Sequence, residues 1–248
     1  MQILEQILEQ LPDGRLTNIC IGLHWTLVQA EVEGKLQMGL ASTLEGVHDH
    51  KAPNVPQAGS LLSLDGLALA RKVLDSQGPM ASVAMATVNA LMTRRPDKWV
   101  DVNAEEVIAD HGAGKKVALV GHFPFTDRLR PRVSQLIVLE QHPQEGEFPP
   151  ESAPDIIPQS DVVAITSMTF TNGTLDGLLN LCRPDALVIL LGPTTPLSPL
   201  LFDHGVNILA GSIVEKPEPV LQALKQGGNF RQLHHAGVRL VTMRQEAR

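Results

Sequence analysis

The chain has few aromatic residues and few cysteines. Phe, Trp and Tyr together make up 3% of its 248 residues, and Tyr is absent. Hydrophobic residues still reach 43%, so a core has to be built mostly from Leu, Val, Ile, Ala and Met. The two cysteines, Cys20 and Cys182, are far apart and form no CxxC pair, which argues against a disulfide framework or a zinc ribbon. We interpret them as buried thiols in a reducing compartment.

Long hydrophobic runs and basic clusters are also missing. The longest apolar run, residues 186–191, is far too short to cross a bilayer. The first eleven residues carry Glu5 and Glu9 and do not resemble a secretory signal. The net charge is −7 and no segment is rich in Lys and Arg, which argues against nucleic-acid binding. We therefore expect a cytoplasmic protein with neither a membrane nor a nucleic acid as its partner.

The first 96 residues predict a small α+β domain in which strands precede helices. The expected elements are a helix ending before Pro12-Asp13-Gly14, a strand over 19–30, a turn at Glu33-Gly34, a returning strand over 36–40, and helices over 61–74 and 81–92. A polar stretch between strand and helix holds His48-Asp49-His50. This trio would need a further ligand from elsewhere to hold a metal ion, and a polar loop explains it equally well.

Residues 97–248 predict a second domain of a different kind. Asn103 begins a short helix, with Glu106 placed as in a capping box. Apolar segments then follow at 117–120, 136–139, 162–165, 187–191 and 206–209, with 238–241 as a last candidate strand, and helices are expected over 126–132, 175–182, 199–204 and 217–225. Strands that are apolar on both faces are typical of a parallel sheet covered on both sides. The alternation predicts a doubly wound α/β domain.

Small and polar residues follow the carboxyl ends of these strands. They are Gly121-His122-Phe123-Pro124, then Glu140, then Thr166 to Thr174, and then Gly192-Pro193-Thr194. Parallel strands bring such residues to one edge of a sheet, where ligands bind near the reversal of strand order. We therefore expect a site for a small polar ligand at this edge. Thr174 is also expected to cap the helix that follows it.

Two of these residues have side chains suited to chemistry. His122 could bind a metal or move a proton, although a structural hydrogen bond explains it as well. Glu140 lies 19 residues after Gly121, where dinucleotide-binding folds place a ribose-binding acid. It could equally hold a metal, act as a base or lie in solvent at the strand end. Gly121 does not begin a GxGxxG loop, so NAD and FAD are disfavoured.

The combination of these segments resembles a known family. The segments Val120-Gly121-His122-Phe123-Pro124, Leu139-Glu140, 165–175, 192–199, Leu201-Phe202 and 205–211 occur in the family's order, and 82–90 resembles its N-terminal helix ending in Asn-Ala. The family is one of proposed heavy-metal chelatases. The resemblance implies an enolase N-terminal-like domain over 1–96 and a Rossmann-like domain over 97–248. Ser167 departs from the expected pattern, in which Gly follows Ile-Thr; the loop backbone is then less free, or a hydroxyl is added to the site.

The resemblance also implies a site in the cleft between the two domains. Glu140 and His122 would be catalytic or ligand groups, and the ligand-binding residues would be Asn89, Gly121, Phe123, Pro124, Thr166, Asn172, Thr174, Gly192, Pro193 and Thr194. The implied function is heavy-metal chelation or the handling of a metal or metallophore, with a transition metal as the candidate cofactor. The alternative is a non-catalytic carrier or sensor of a small polar or nucleotide-like ligand. Whether the protein is an enzyme stays open, and homo-oligomerisation through the N-terminal helices is a further hypothesis.

Overall fold

A computed structural model describes residues 2–46 and 53–245, and the first part of the chain is built on a three-stranded antiparallel sheet. Helix α1 comes first and buries its apolar side chains, as their helical spacing predicts. The centre of the sheet is its second strand. These elements are α1 (Gln2–Glu9), β1 (Arg15–Ile21), β2 (Trp25–Val32) and β3 (Lys35–Ser42).

The strand predicted over residues 19–30 was wrong, because the chain reverses within it. β1 and β2 form a hairpin, in which Gly22 N donates to Trp25 O at 2.9 Å. Leu23 occupies the turn and is 72% exposed, so an apolar residue stands where a turn residue would have marked the reversal. The next hairpin was predicted correctly at Glu33-Gly34, where β2 leads into β3.

Helix α3 (Gly78–Leu91) crosses this sheet at very short range. Every residue from 80 to 91 is buried. A Cβ atom at Gly39 of β3 would lie 2.0 Å from the Ala86 carbonyl oxygen and 2.2 Å from the Ala90 nitrogen. The missing side chain at Gly39 and the Ala-rich surface of α3 therefore allow backbone to pack on backbone.

The single helix predicted over residues 61–74 is divided into shorter pieces. Turns of 3-10 helix over Leu61–Ser63 and Lys72–Leu74 flank α2 (Gly66–Arg71). The helix begins again at Asp65, whose side chain accepts a hydrogen bond from Ala68 N at 2.9 Å. An N-cap therefore interrupts a continuous apolar pattern.

The capping box predicted at Asn103 is incomplete. The Asn103 side chain accepts from Glu105 N at the start of α4 (Ala104–Gly112), as an N-cap does. The Glu106 carboxylate does not return to the Asn103 backbone. It accepts two hydrogen bonds from Arg132, at 2.9 and 2.6 Å.

The second part of the chain forms a six-stranded, mostly parallel sheet. Its strands are β4 (Lys116–Val120), β5 (Gln135–Leu139), β6 (Val162–Thr166), β7 (Leu187–Leu191), β8 (Ile208–Val214) and β9 (Val238–Arg244). They lie in the order β5-β4-β6-β7-β8-β9, with β9 antiparallel to β8. The chain moves to one side of β4 for β5 and to the other side for β6, which creates a switch point between β4 and β6. The predicted fold class is confirmed.

Helices lie at the four positions that the alternation predicted, three of them shorter than expected, and at three further positions. They are α5 (Thr126–Leu129), α6 (Ala153–Ile156), α7 (Met168–Thr171), α8 (Leu175–Leu181), α9 (Leu200–Asp203), α10 (Pro217–Lys225) and α11 (Phe230–Ala236). Neither α6, α7 nor α11 was predicted. Within the described ranges, every helix is too short or too polar to cross a membrane.

The two sheets share one continuous apolar core. Helix α1 contacts α9, and His204 Nε2 lies 2.7 Å from Gln6 Oε1. The segment that joins the two parts is fixed to strand β9, because Val100 and Thr242 exchange backbone hydrogen bonds of 2.9 and 3.0 Å. The division into domains at residues 96 and 97 stays a prediction.

Candidate functional site

An open cleft of about 670 Å³ lies at the switch point of the parallel sheet. Six of the predicted site residues line it, and they come from the ends of β4, β5 and β6 and from the loop before α8. These are Gly121, His122, Glu140, Thr166, Asn172 and Thr174. Leu44, which follows β3, also lines the cleft, so both parts of the chain contribute to its wall. The rule that placed a ligand site at this edge thus identifies a real concavity.

Glu140 holds the backbone at the mouth of this cleft. Its Oε2 accepts from His122 N and its Oε1 accepts from Gln141 N, both at 2.7 Å. The carboxylate therefore bridges the loop after β4 and the loop after β5. With both oxygens bound to N–H groups, its geometry suits the positioning of His122 better than proton abstraction.

His122 is paired with a carboxylate that sequence reasoning missed. The His122 Nδ1 lies 2.6 Å from Glu147 Oε1, and the other Glu147 oxygen accepts from Gln144 N at 2.9 Å. These hydrogen bonds lower the pKa of Glu147, the Gln144 N–H first and the imidazole after it. Because an ionised carboxylate only accepts, Nδ1 is the donor and Nε2 carries the lone pair when the ring is neutral. A carboxylate–imidazole pair of this kind is typical of histidines that bind metals.

The side chains of this pair differ in exposure. Glu147 is 2% exposed and His122 is 38% exposed. His122 lines the cleft and its Nε2 makes no hydrogen bond with any described residue. No motif marked Glu147, because it lies on an irregular loop, 25 residues from its partner.

The loop between β6 and α8 differs from the prediction. Thr174 has a helical backbone and its side chain does not cap α8. Its hydroxyl donates to Asn172 Oδ1 at 2.7 Å, and Thr174 N donates to the same oxygen at 3.1 Å. The Asn172 side chain thereby fixes a polar turn on the cleft wall, with its amide N–H₂ free of partners among the described residues.

Ser167 does not add a hydroxyl to the cleft lining. Its backbone is helical, with φ −64° and ψ −9°, a conformation that needs no glycine. The side chain is buried beside Gly192, where a Cβ atom would lie 2.5 Å from Ser167 Oγ. Gly192 itself has φ +124°, so both its conformation and its neighbour require glycine.

Asn89 and Thr194 are hydrogen-bonded to each other and do not line the cleft. The Asn89 amide donates to the carbonyl oxygens of Leu40 and Thr194, both at 2.9 Å. Thr194 Oγ1 accepts from Ser42 N at 2.9 Å. Asn89 is 8% and Thr194 1% exposed, so this cluster joins the two parts of the chain through satisfied, buried hydrogen bonds.

The remaining predicted residues support loops near the cleft without lining it. Phe123 stacks on Phe125 with ring centroids 5.2 Å apart, and Phe123 N donates to Thr126 Oγ1. Pro124 O accepts from Arg128 Nη1, and Pro193 O from Ser212 Oγ. Whether any predicted residue binds a ligand stays a prediction.

A bare metal ion finds an incomplete set of donors here. In residues 2–46 and 53–245, no three His, Cys, Asp or Glu side chains are grouped so that they could hold a metal. The lining of the cleft provides His122, whose partner Glu147 is already bound, and the carboxylates of Glu140 and Glu151. The His48-Asp49-His50 trio lies outside the described residues.

The fold is that of a two-sheet α/β protein with an open cleft at its switch point, and comparison with known proteins gives its family. The DUF364 family profile, described as "Putative heavy-metal chelation", matches residues 103–243. The DUF4213 profile, with the same description, matches residues 4–92. The chain belongs to the DUF364 family.

Individual relatives agree with this membership. An uncharacterized protein of Methanocaldococcus jannaschii is 24% identical over 233 residues, which is 90% of this chain and 87% of the relative. A crystal structure of a DUF364 protein of unknown function from Desulfitobacterium hafniense DCB-2 has 25% identity and a TM-score of 0.81. Another from Pyrococcus horikoshii has 23% identity and a TM-score of 0.82. Each structural match covers 98% of both chains.

Proposed function

We propose that the chain binds a small organic ligand that carries a heavy-metal ion, and that the ligand lies in the switch-point cleft. The observation that carries this proposal is the pairing of His122 with the covered carboxylate of Glu147 at the wall of that cleft. The pairing aims an imidazole at a ligand-sized cavity.

The lining of the cleft supports an organic ligand. Its walls include many apolar side chains, which have no attraction for a hydrated ion but would cover a carbon skeleton. These are Leu44, Val120, Leu139, Ala153, Met168, Leu178 and Leu181. The volume of about 670 Å³ is in the usual range for small-molecule sites. Thr166, Asn172 and Thr174 supply the few polar groups that orient such a ligand.

The donor count supports a metal that arrives already complexed. A heavy-metal ion needs about four or more donors, and the described lining of the cleft offers one imidazole with a usable nitrogen beside the carboxylates of Glu140 and Glu151. A chelate with at least one open coordination position would take Nε2 of His122 as a further ligand. This agrees with the family description and does not require a complete protein-made metal centre.

Binding is a better match to this geometry than turnover. Glu140, the other candidate for acid–base chemistry, has both oxygens occupied by N–H groups. The proposed protein is therefore a carrier or sensor of the complex.

The test is retention of a metal complex by protein purified without a histidine tag. Equilibrium dialysis would compare Ni²⁺ alone with the 1:1 Ni²⁺–bipyridine complex, using metal analysis for the bound amount. We expect saturable, one-to-one retention of the complex and weaker uptake of the free ion. His122→Ala should lower affinity for the complex at least about tenfold, because one metal–nitrogen bond is lost.

The matched control is His142→Ala, which removes an exposed histidine from the loop that also carries Glu147. It should retain the complex like the original chain. Equal losses in both variants, or equal uptake of the complex and the free ion, would contradict the proposal. Uptake of bipyridine alone with the same affinity would indicate an organic ligand without a metal and would also reject it.

A further inference from the structure

Arg94 presents a covered positive charge without a partner of opposite charge. Its Nε donates to Gln37 Oε1 at 2.8 Å, and its Nη2 donates to the carbonyl oxygens of Met38 at 2.5 Å and Asn89 at 3.3 Å. No carboxylate of a described residue forms an ion pair with it. The hydrogen bonds hold the guanidinium at the edge of β3 and near the end of α3.

The charge of Arg94 is therefore compensated only by neutral groups. Burial lowers the pKa of the guanidinium to about 10, and no acidic neighbour offsets that effect. The group is still charged at neutral pH. A covered cation is normally paired, because taking it out of water is unfavourable.

One nitrogen of Arg94 remains available. A guanidinium has five N–H groups, and the three contacts above use one on Nε and two on Nη2. The two N–H groups of Nη1 have no acceptor among the described residues. The indole Nε1 of Trp99 is buried and also lacks an acceptor in the part of the chain that the structure describes. Arg94 Nη1 and Trp99 Nε1 therefore both offer hydrogen-bond donors for which no described residue supplies an acceptor.

A second cavity, of about 380 Å³, is lined by both residues. It shares no lining residue with the switch-point cleft. Its wall is otherwise mostly apolar, and includes Pro12, Val32, Leu36, Met38, Ile213, Val214 and Pro217. Its charged lining residues are Arg94, Lys35 and Glu33, so two cations oppose one anion. Lys35 lies on the same face of β3 as Gln37, about 7 Å along the strand, which places it near the guanidinium.

We infer that this second cavity binds a small organic carboxylate. The carboxylate would accept hydrogen bonds from Arg94 Nη1, with Lys35 adding attraction at the rim. The apolar body of the ligand would pack between Trp99 and the side chains of Ile213 and Val214. The inference concerns a different site from the proposed metal-complex cleft and does not depend on it.

The test uses the fluorescence of Trp99. The chain has two tryptophans, and Trp25 packs on Phe230 with ring centroids 5.3 Å apart. In a Trp25→Phe background the emission reports on Trp99 alone. Titration with phenylacetate at low salt should give a saturable change, and the uncharged isostere phenylacetamide should give none. Added NaCl should weaken binding, because the attraction is electrostatic.

Two variants separate ligand binding from folding. Arg94→Gln should weaken phenylacetate binding by about tenfold or more, since a charge-assisted hydrogen bond is lost. It also removes contacts to Met38 and Asn89, so thermal unfolding must be measured alongside. Lys35→Met leaves those contacts intact and should weaken binding about threefold. Arg95→Gln, which removes the exposed charge next along the chain, is the matched control and should bind normally.

Isothermal titration of the original chain with phenylacetate gives a second measurement that does not depend on the Trp25→Phe change. Absence of saturable binding in both measurements would overturn the inference. Equal binding of phenylacetamide would also overturn it. So would an unchanged affinity for phenylacetate in both Lys35→Met and a correctly folded Arg94→Gln.

Discussion

Two polar clusters of the molecule are built differently, one where the two sheets meet and one at the switch-point cleft. In the first, Asn89 and Thr194 are buried, and Thr194 links Asn89 to the half-buried Ser42 through hydrogen bonds. In the second, His122, Glu140 and Asn172 are fixed by hydrogen bonds on one side and open to the cleft on the other. The first cluster joins the two parts of the chain, and the second leaves groups free for a ligand.

This difference shows why residue type alone could not separate the two clusters. Asn89 and Asn172 are both asparagines in segments that resemble the same family, and both were predicted to bind a ligand. One uses its N–H₂ group to join two backbone carbonyls. The other uses its Oδ1 to hold Thr174 and keeps its N–H₂ group available. The direction of the amide decides which role each residue can have.

Replacement of Asn89 by Ala should have the largest effect on stability. Two buried carbonyl oxygens would lose their donor, and we expect a loss of about 3 kcal/mol in the free energy of unfolding. Asn172→Ala is the matched control, and should lose less than about 1 kcal/mol because its groups are exposed. Urea denaturation checks both. Similar losses in the two variants would remove the distinction between the joined and the open cluster.

Glu140→Gln should have an intermediate effect. A glutamine can accept from one of the two N–H groups, but its own N–H₂ then faces the other, so we expect a loss of about 1–2 kcal/mol. The loops after β4 and β5 should exchange amide hydrogen faster, most of all at His122 and Gln141. Glu145→Gln, an exposed acid of the same loop, is the control. An unchanged exchange rate at His122 would show that Glu140 does not position it.

Glu147→Gln should have the smallest effect on stability, about 1 kcal/mol or less, because the imidazole of His122 can change tautomer and accept from the new amide. The Gln144 N–H and His122 hold the pKa of Glu147 below its usual 4.5, so its ionised form favours the folded state. That contribution is complete above pH 4.5 and is lost as the pH falls through the folded-state pKa. Denaturation of both chains across this range should show their difference shrinking with acid. A constant difference would contradict the assignment.

The parallel sheet was predictable because β4, β5, β6 and β7 each contain an uninterrupted apolar segment. The first antiparallel hairpin, between β1 and β2, was missed, because Leu23 is an apolar residue in an exposed turn. The cleft could be predicted from a general rule about strand ends, which requires only the order of strands and loops. The role of Glu147 could not be predicted, because its partner His122 lies 25 residues away and only the path of the 140–148 loop brings the two side chains together.

The bridge between Val100 and Thr242 brings the beginning and the end of the α/β part to the same place. A unit whose termini lie close together tolerates insertion into another chain, or circular permutation, with little disturbance to its core. The two family profiles divide the chain at 92 and 103, on the approach to this bridge. The geometry thus describes a module that can be joined to a second sheet at one point, with Leu44 of that sheet completing the wall of the cleft at the carboxyl ends of its strands.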